Sequence, residues 1–81
     1  MQELKASHKR IVGFKQTVKA IKNGTAKKVY IAEDADGFIK ESVLDACSGK
    51  SLQIIYVNSM KELGDACGID IGASAAAVVN D

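Results

Sequence analysis

The sequence contains no proline and no tryptophan, one histidine, two cysteines and only four aromatic residues in 81 positions. Lack of proline, with Leu, Ile, Val and Ala in plenty, excludes a collagen-like chain, and the ordinary composition excludes a disordered one. The lone histidine, His8, sits in a polar stretch near the start. No pattern such as G-x-S-x-G surrounds a candidate nucleophile. Cys47 and Cys67, twenty positions apart, are too few for a structural zinc or a disulfide framework. They are expected as buried free thiols, since cysteine packs as a small hydrophobe. No stretch reaches the roughly 18 uncharged apolar residues of a membrane span. The start "MQELKASHKR" also lacks the apolar core of a secretory signal. One compact, soluble, cytoplasmic domain over residues 1–81 is therefore expected, monomeric and with no membrane contact, burying about 60 to 65 % of its unfolded surface.

What is present is a charge asymmetry that the net value of +1 conceals. Residues 1–28 hold eight cations (Lys5, Lys9, Arg10, Lys15, Lys19, Lys22, Lys27 and Lys28) against Glu3, a net +7. Residues 29–81 hold three lysines against nine carboxylates, a net −6. Such a split within one domain implies a basic face turned towards a polyanion. Its bland alternative is a solvated lysine face without a partner.

Hydropathy patterning alternates helix and strand. "QELKASHK" spells a short first helix, and "RIV" a brief strand before Gly13. From Phe14 to Asn23 the period is helical, with Phe14, Val18 and Ile21 on one stripe and Gly24 placed as the stop. Val29–Ala32 is an apolar run of the kind buried on both faces of a sheet. Residues 35–49 repeat Phe38 or Ile39, Val43 or Leu44, and Cys47 at helical spacing, with Asp36 as N-cap and Gly49 as stop. "SLQIIYV" reads as a second buried strand. "NSMKELGDACG" reads as a helix capped by Ser59, with Glu62 three residues on completing a capping box. The small-residue run "GASAAAVVND" ends as a strand pressed closely on its neighbours. The order predicts a three-layer α/β/α sandwich around a small mixed four-stranded sheet.

Enzymatic machinery does not assemble from these residues. Glu33, Asp34 and Asp36 cluster after a strand, where carboxylates can bind magnesium or act as acid and base, but an acidic turn followed by a capped helix has the same spelling. "GIDIGAS" has neither phosphate-loop nor dinucleotide-fingerprint spacing. No catalytic residue, metal or cofactor is assigned.

The helix starting at Phe14 fits nucleic acid better. Lys15 and Gln16 lie in its first turn, where free backbone N–H groups project, and Lys19 falls one turn behind. Cations are locally unfavourable beside a helix N-terminus, so an incoming phosphate would offset their repulsion. Gln16 can read a base edge with two hydrogen bonds.

These residues carry a resemblance. "VGFKQTVKAIKNGTAKKVYIAEDAD" and "VNSMKELGDACGIDIGASAAAVV" resemble the kink-turn-binding ribosomal protein family of L-seven-Ae and L-thirty-e, and within it the small bacterial members. The likeness runs from about Ala6 to Val79 in three separated blocks. It implies the same sandwich fold and binding of kink-turn RNA, a sharply bent helix–bulge–helix with tandem sheared G·A pairs, with a place in or near the ribosome. It further implies that Gly13 lets the backbone approach the RNA, that Lys15, Gln16 and Lys19 meet the groove at the G·A pairs, and that Asp36 stands beside the flipped-out nucleotide. The loop Ile69–Ser74 would cover that nucleotide, with Ile69 and Ile71 as apolar surface, Asp70 and Ser74 within it, and Gly72 leaving room. The chain departs from the family pattern at Lys15 and Gln16, where archaeal and eukaryotic members carry Asn and Glu, and at Asn23, where many carry Arg. A protein-interaction adaptor using the acidic C-terminal half, and a metal-dependent enzyme using Glu33, Asp34 and Asp36, are the competing expectations.

Overall fold

The computed structural model describes residues 9–79. The expected first helix, His8 and the other residues before Lys9 lie outside the described residues. Seven elements follow in order: β1 (Arg10–Val12), α1 (Phe14–Lys22), β2 (Ala26–Ala32), α2 (Gly37–Cys47), β3 (Gln53–Val57), α3 (Met60–Cys67) and β4 (Ala75–Val79).

The strands form one sheet in the order β1-β4-β2-β3. β4 runs antiparallel to both its neighbours, pairing Ala76 with Val12 and with Tyr30. β2 and β3 are parallel, Ala32 opposite Val57, and are joined by the crossover helix α2, as parallel strands require. The sheet is therefore mixed, as the alternating pattern predicts.

Period-two alternation divides the side chains between two cores. Tyr30, Ala32, Ala76, Val78 and Val57 point to the face covered by α3, where Leu63, Ala66 and Cys67 meet them. Val29, Ile31, Ala75 and Ala77 point to the opposite face, against Ala20 and Ile21 of α1 and Val43 and Cys47 of α2. Helices α1 and α2, the sheet, and α3 are the three layers. Alanines on β4 let both helical layers approach its backbone, which explains why this strand is spelled with small residues although it is central.

Two sequence expectations change. β2 begins three residues early, at Ala26, because a bulge between Ala26 and Lys28 continues the ladder with β4 through two lysines at its outer end. β3 is only partly buried: it is one of the two sheet edges, with Gln53 and Tyr56 exposed, Ile54 and Ile55 half-covered and Val57 alone buried. An apolar run has the same spelling in an edge strand and a central one, and only the pairing order separates them. Both cysteines are buried and free as expected. Burial holds each thiol pKa above its ordinary value, although Lys50 near Cys47 and Arg10 near Cys67 pull the other way.

Candidate nucleic-acid interface

β1, β2 and β3 point the same way, each being antiparallel to β4 or parallel to β2. Each is followed by a helix. All three helix N-termini therefore gather at one end of the sheet, where β4 begins. This arrangement brings together segments far apart in sequence.

Backbone hydrogen bonds fasten that end. Gly13 N–H donates to the carbonyl of Ala75 at 2.8 Å, and Ala32 N–H donates to Ser74 at 3.0 Å. Glu33 N–H donates to Val57 at 2.8 Å, and Ala73 N–H to Met60 at 3.0 Å. Asp34 Oδ1 accepts from Met60 N–H at 2.7 Å, tying the acidic turn to the start of α3. The tip of α1, the turn 33–36 and the loop 69–74 are thus one connected surface.

The helix starts differ in how their donors are satisfied. Asp36 Oδ1 accepts from Phe38 N–H at 2.8 Å, capping α2. Ser59 Oγ accepts from Glu62 N–H at 3.1 Å, capping α3. Helix α1 begins at Gly13, which supplies no side-chain cap, and no acid lies in its first turn. Its leading N–H groups have no intrahelical partner by geometry. Gly13 has φ of 106°, a conformation that other residues rarely adopt, and a Cβ there would meet no atom within 4 Å. The uncapped, acid-free end is the one that carries Lys15 and Gln16.

Both Lys15 and Gln16 are exposed, but they diverge. Gln16 lines a hollow of about 300 Å³ with Ile11, Lys19 and Val79, on the β1 side of α1. Lys15 lines one of about 340 Å³ with Phe14, Val18, Lys19 and Lys22, on the side towards α2. Lys19 lies between and borders both. In the loop, Ile71 is 74 % exposed, Asp70 and Gly72 are exposed and Ser74 is half-buried. Ile69 instead packs on the core beneath α3, because its N–H donates to the carbonyl of Gly64, which opens the last turn of that helix. Apolar surface in this loop therefore falls to Ile71. Gly72 has a local reason to be glycine, since a Cβ there would stand 3.1 Å from Cβ of Met60.

The carboxylates of the acidic turn act as structural acceptors. Asp34 and Asp36 hold backbone N–H groups, and Lys40 Nζ donates to the carbonyl of Glu33 at 2.9 Å. Among the described residues no three His, Cys, Asp or Glu side chains gather as a metal-binding group. Among those residues, too, no helix is long and apolar enough to cross a membrane.

One residue escaped the sequence reading of the site. Phe38, offered there as a candidate for the inward stripe of α2, is 69 % exposed. Its ring meets that of Phe14 edge to face, centroids 6.2 Å apart. The inward stripe is carried by Val43, Ala46 and Cys47, and that phase, counted back along the helix, leaves Phe38 outside.

Known proteins share this architecture. An RNA-binding protein of Caldanaerobacter subterraneus subsp. tengcongensis is 49 % identical over 71 residues, which span 88 % of this chain and 87 % of its own. The RNA-binding protein YbxF of Geobacillus stearothermophilus is 45 % identical over 71 residues, 88 % of this chain and 87 % of its own. Among solved structures, the Giardia lamblia 15.5kD RNA binding protein superposes with a TM-score of 0.81 at 26 % identity, covering 99 % of this chain and 68 % of that one. A protein of unknown function from Bacillus halodurans superposes with a TM-score of 0.83 at 26 % identity, covering 95 % and 77 %. Residues 1–81 match the family model described as the ribosomal protein L7Ae/L30e/S12e/Gadd45 family. With its sandwich, its three converging helix starts and this match along its whole length, the chain belongs to the L7Ae/L30e/S12e/Gadd45 family.

Proposed function

We propose that this protein is a non-catalytic RNA-binding module that recognises kink-turn RNA, as a cytoplasmic monomer working in or near the ribosome. The observation that carries the reading is the union of an uncapped, cationic helix tip with the 69–74 loop, fastened by the Gly13–Ala75 hydrogen bond. The naming of its relatives as RNA-binding proteins supports it.

In this reading Gln16 holds a guanine edge at the sheared pairs, Lys15 and Lys19 hold phosphates, and Gly13 leaves the backbone open to close approach. Ile71 lies against the unstacked bulge nucleotide, the kind of element through which proteins read RNA sequence. Asp36, Ile69, Asp70, Gly72 and Ser74 complete the surround. Asp36 keeps its cap, while Ile69 and Gly72 anchor the loop to α3. Binding bends the RNA by favouring its kinked state, since a ligand shifts an equilibrium only through differential affinity. Affinity falls steeply with salt as neutralised phosphates release counterions.

The test is titration of a labelled kink-turn duplex against one whose G·A pairs are made Watson–Crick. Much tighter binding of the kink-turn is expected. Equal affinity for both would overturn the reading and leave charge alone as the source of binding.

A further inference from the structure

Outside the helix tip and the loop, the α1–α2 side of the molecule carries a feature the proposed function does not use. Phe38 stands 69 % exposed on the first turn of α2, its ring backed edge-on by Phe14 at 6.2 Å. Phe14 in turn begins a groove of about 340 Å³ lined by Lys15, Val18, Lys19 and Lys22. Lys15, Lys19 and Lys22 fall at i, i+4 and i+7, a stripe about 10 Å long at 1.5 Å per residue. An adjoining hollow of about 400 Å³ shares Phe14, Val18 and Lys22 and closes on α2 at Asp45.

A single exposed phenylalanine is ordinary. This one differs in three respects: its ring meets a second aromatic, Phe14, edge to face, Phe14 in turn lines a groove with three lysines, and that groove starts at the helix tip where RNA is proposed to dock. Aromatic faces beside cations are how proteins hold single-stranded nucleic acid, the ring taking a base and the lysines taking the backbone. Asp45, on the far wall, repels phosphate and keeps the path on the α1 side.

We infer that Phe38, backed by Phe14, is a stacking platform for one unpaired nucleotide flanking the bound RNA element, whose following phosphates run along Lys15, Lys19 and Lys22. The inference rests on the RNA-binding reading: it shares Lys15 and Lys19 with that surface, extends it to Lys22 and Phe38, and concerns a different part of the RNA.

The experiment compares a minimal kink-turn duplex with the same duplex carrying a short single-stranded extension, made once at each end. One of the two extensions is expected to tighten binding by about 5- to 150-fold, the range a base–aromatic stack supplies. Phe38→Ala removes that gain and leaves affinity for the minimal duplex unchanged. Because the chain contains no tryptophan, Phe38→Trp places its one indole, excited selectively over the tyrosines, at the platform. It should retain the gain, and its emission should be quenched by the extended RNA and not by the minimal one. A gain that survives Phe38→Ala, no gain from either extension, or an emission indifferent to the extended RNA would overturn the inference. Failure of the kink-turn reading looks different: the minimal duplex then binds no better than its Watson–Crick counterpart, while quenching by a single-stranded oligonucleotide still reports on Phe38.

Discussion

Gly64→Ala sets two effects of opposite sign against each other. Gly64 is the fifth residue of the eight in α3 and is buried. Helix propensity alone favours alanine in a helix interior by about 1 kcal/mol. The structure opposes this, because a Cβ at Gly64 would overlap the carbonyl oxygen of Ile71 and stand 3.1 Å from Cα of Gly72. Both obstacles are backbone, so no side-chain rotation relieves them and the 69–74 loop has to move. Overpacking of this kind costs about 1 to 3 kcal/mol. Displacing the loop also weakens the Ala73–Met60 hydrogen bond of 3.0 Å, which contributes about 1 kcal/mol. The expected net loss is about 1 to 3 kcal/mol, or a fall in Tm of roughly 5 to 20 °C for a domain of this size. Thermal and urea unfolding of Gly64→Ala beside Gly37→Ala makes the comparison internal. Gly37 is the first residue of α2, exposed, and a Cβ there meets nothing within 4 Å, so Gly37→Ala should be neutral or stabilising by less than about 1 kcal/mol. A Gly64→Ala protein as stable as its parent would show that the loop does not rest on α3, and the account of how Ile71 is positioned would fail with it.

Other outcomes follow from the same geometry. Thr17 is fully buried and its Oγ1 has no hydrogen-bond partner, so Thr17→Val should raise stability by about 1 kcal/mol, read as a shifted urea midpoint. Asp36→Ala should cost about 1 kcal/mol by uncapping α2. Asp36→Asn, which keeps an accepting oxygen for Phe38 N–H, should restore most of that stability, and any RNA effect it retains is then due to charge. Gln16→Ala should lose preference for the kink-turn over the Watson–Crick duplex. Lys19→Ala should weaken both RNAs alike and lower the slope of log affinity against log salt by about 1; the reverse assignment of effects would refute these roles. Burial raises both thiol pKa values, so their contribution to stability is full below the unfolded thiol pKa of about 8.5 and is lost as pH rises through the folded values. Urea midpoints measured on either side of that point should fall on the alkaline side, and fall less when Cys47 and Cys67 are replaced by alanine.

How far the fold was legible depends on the kind of signal each element carries. Local chemistry was readable: Asp36 and Ser59 cap the helices they precede, and Gly24 directly follows Asn23, the C-cap of α1. Alanines 75 to 77 announced close packing and occupy a central strand. Strand rank was not readable, because Ile54 and Ile55 satisfy the pattern of a buried strand while lying at an edge. At the site, the residue types at the tip of α1 suggested an anion, yet nothing local joins Gly13 to Ala75. That juxtaposition comes from β4 inserting between β1 and β2. The choice between Phe38 and Ile39 stayed open in the sequence because helical spacing admits either of two adjacent phases, and only packing against Val29 and Ile31 selects the one that buries Val43 and Cys47. The isolation of the Thr17 hydroxyl becomes visible only when its neighbours are in place.

The strand order has a consequence for biosynthesis. β4 lies at the centre of the sheet and is the last of the described elements in chain order. While residues up to 74 emerge from the ribosome, β1 has no partner among the described strands and β2 has one only on its β3 side. The two cores therefore stay half-built until β4 slides between β1 and β2. Acquisition of structure should be abrupt and late, with truncated chains protease-sensitive until that strand has been made.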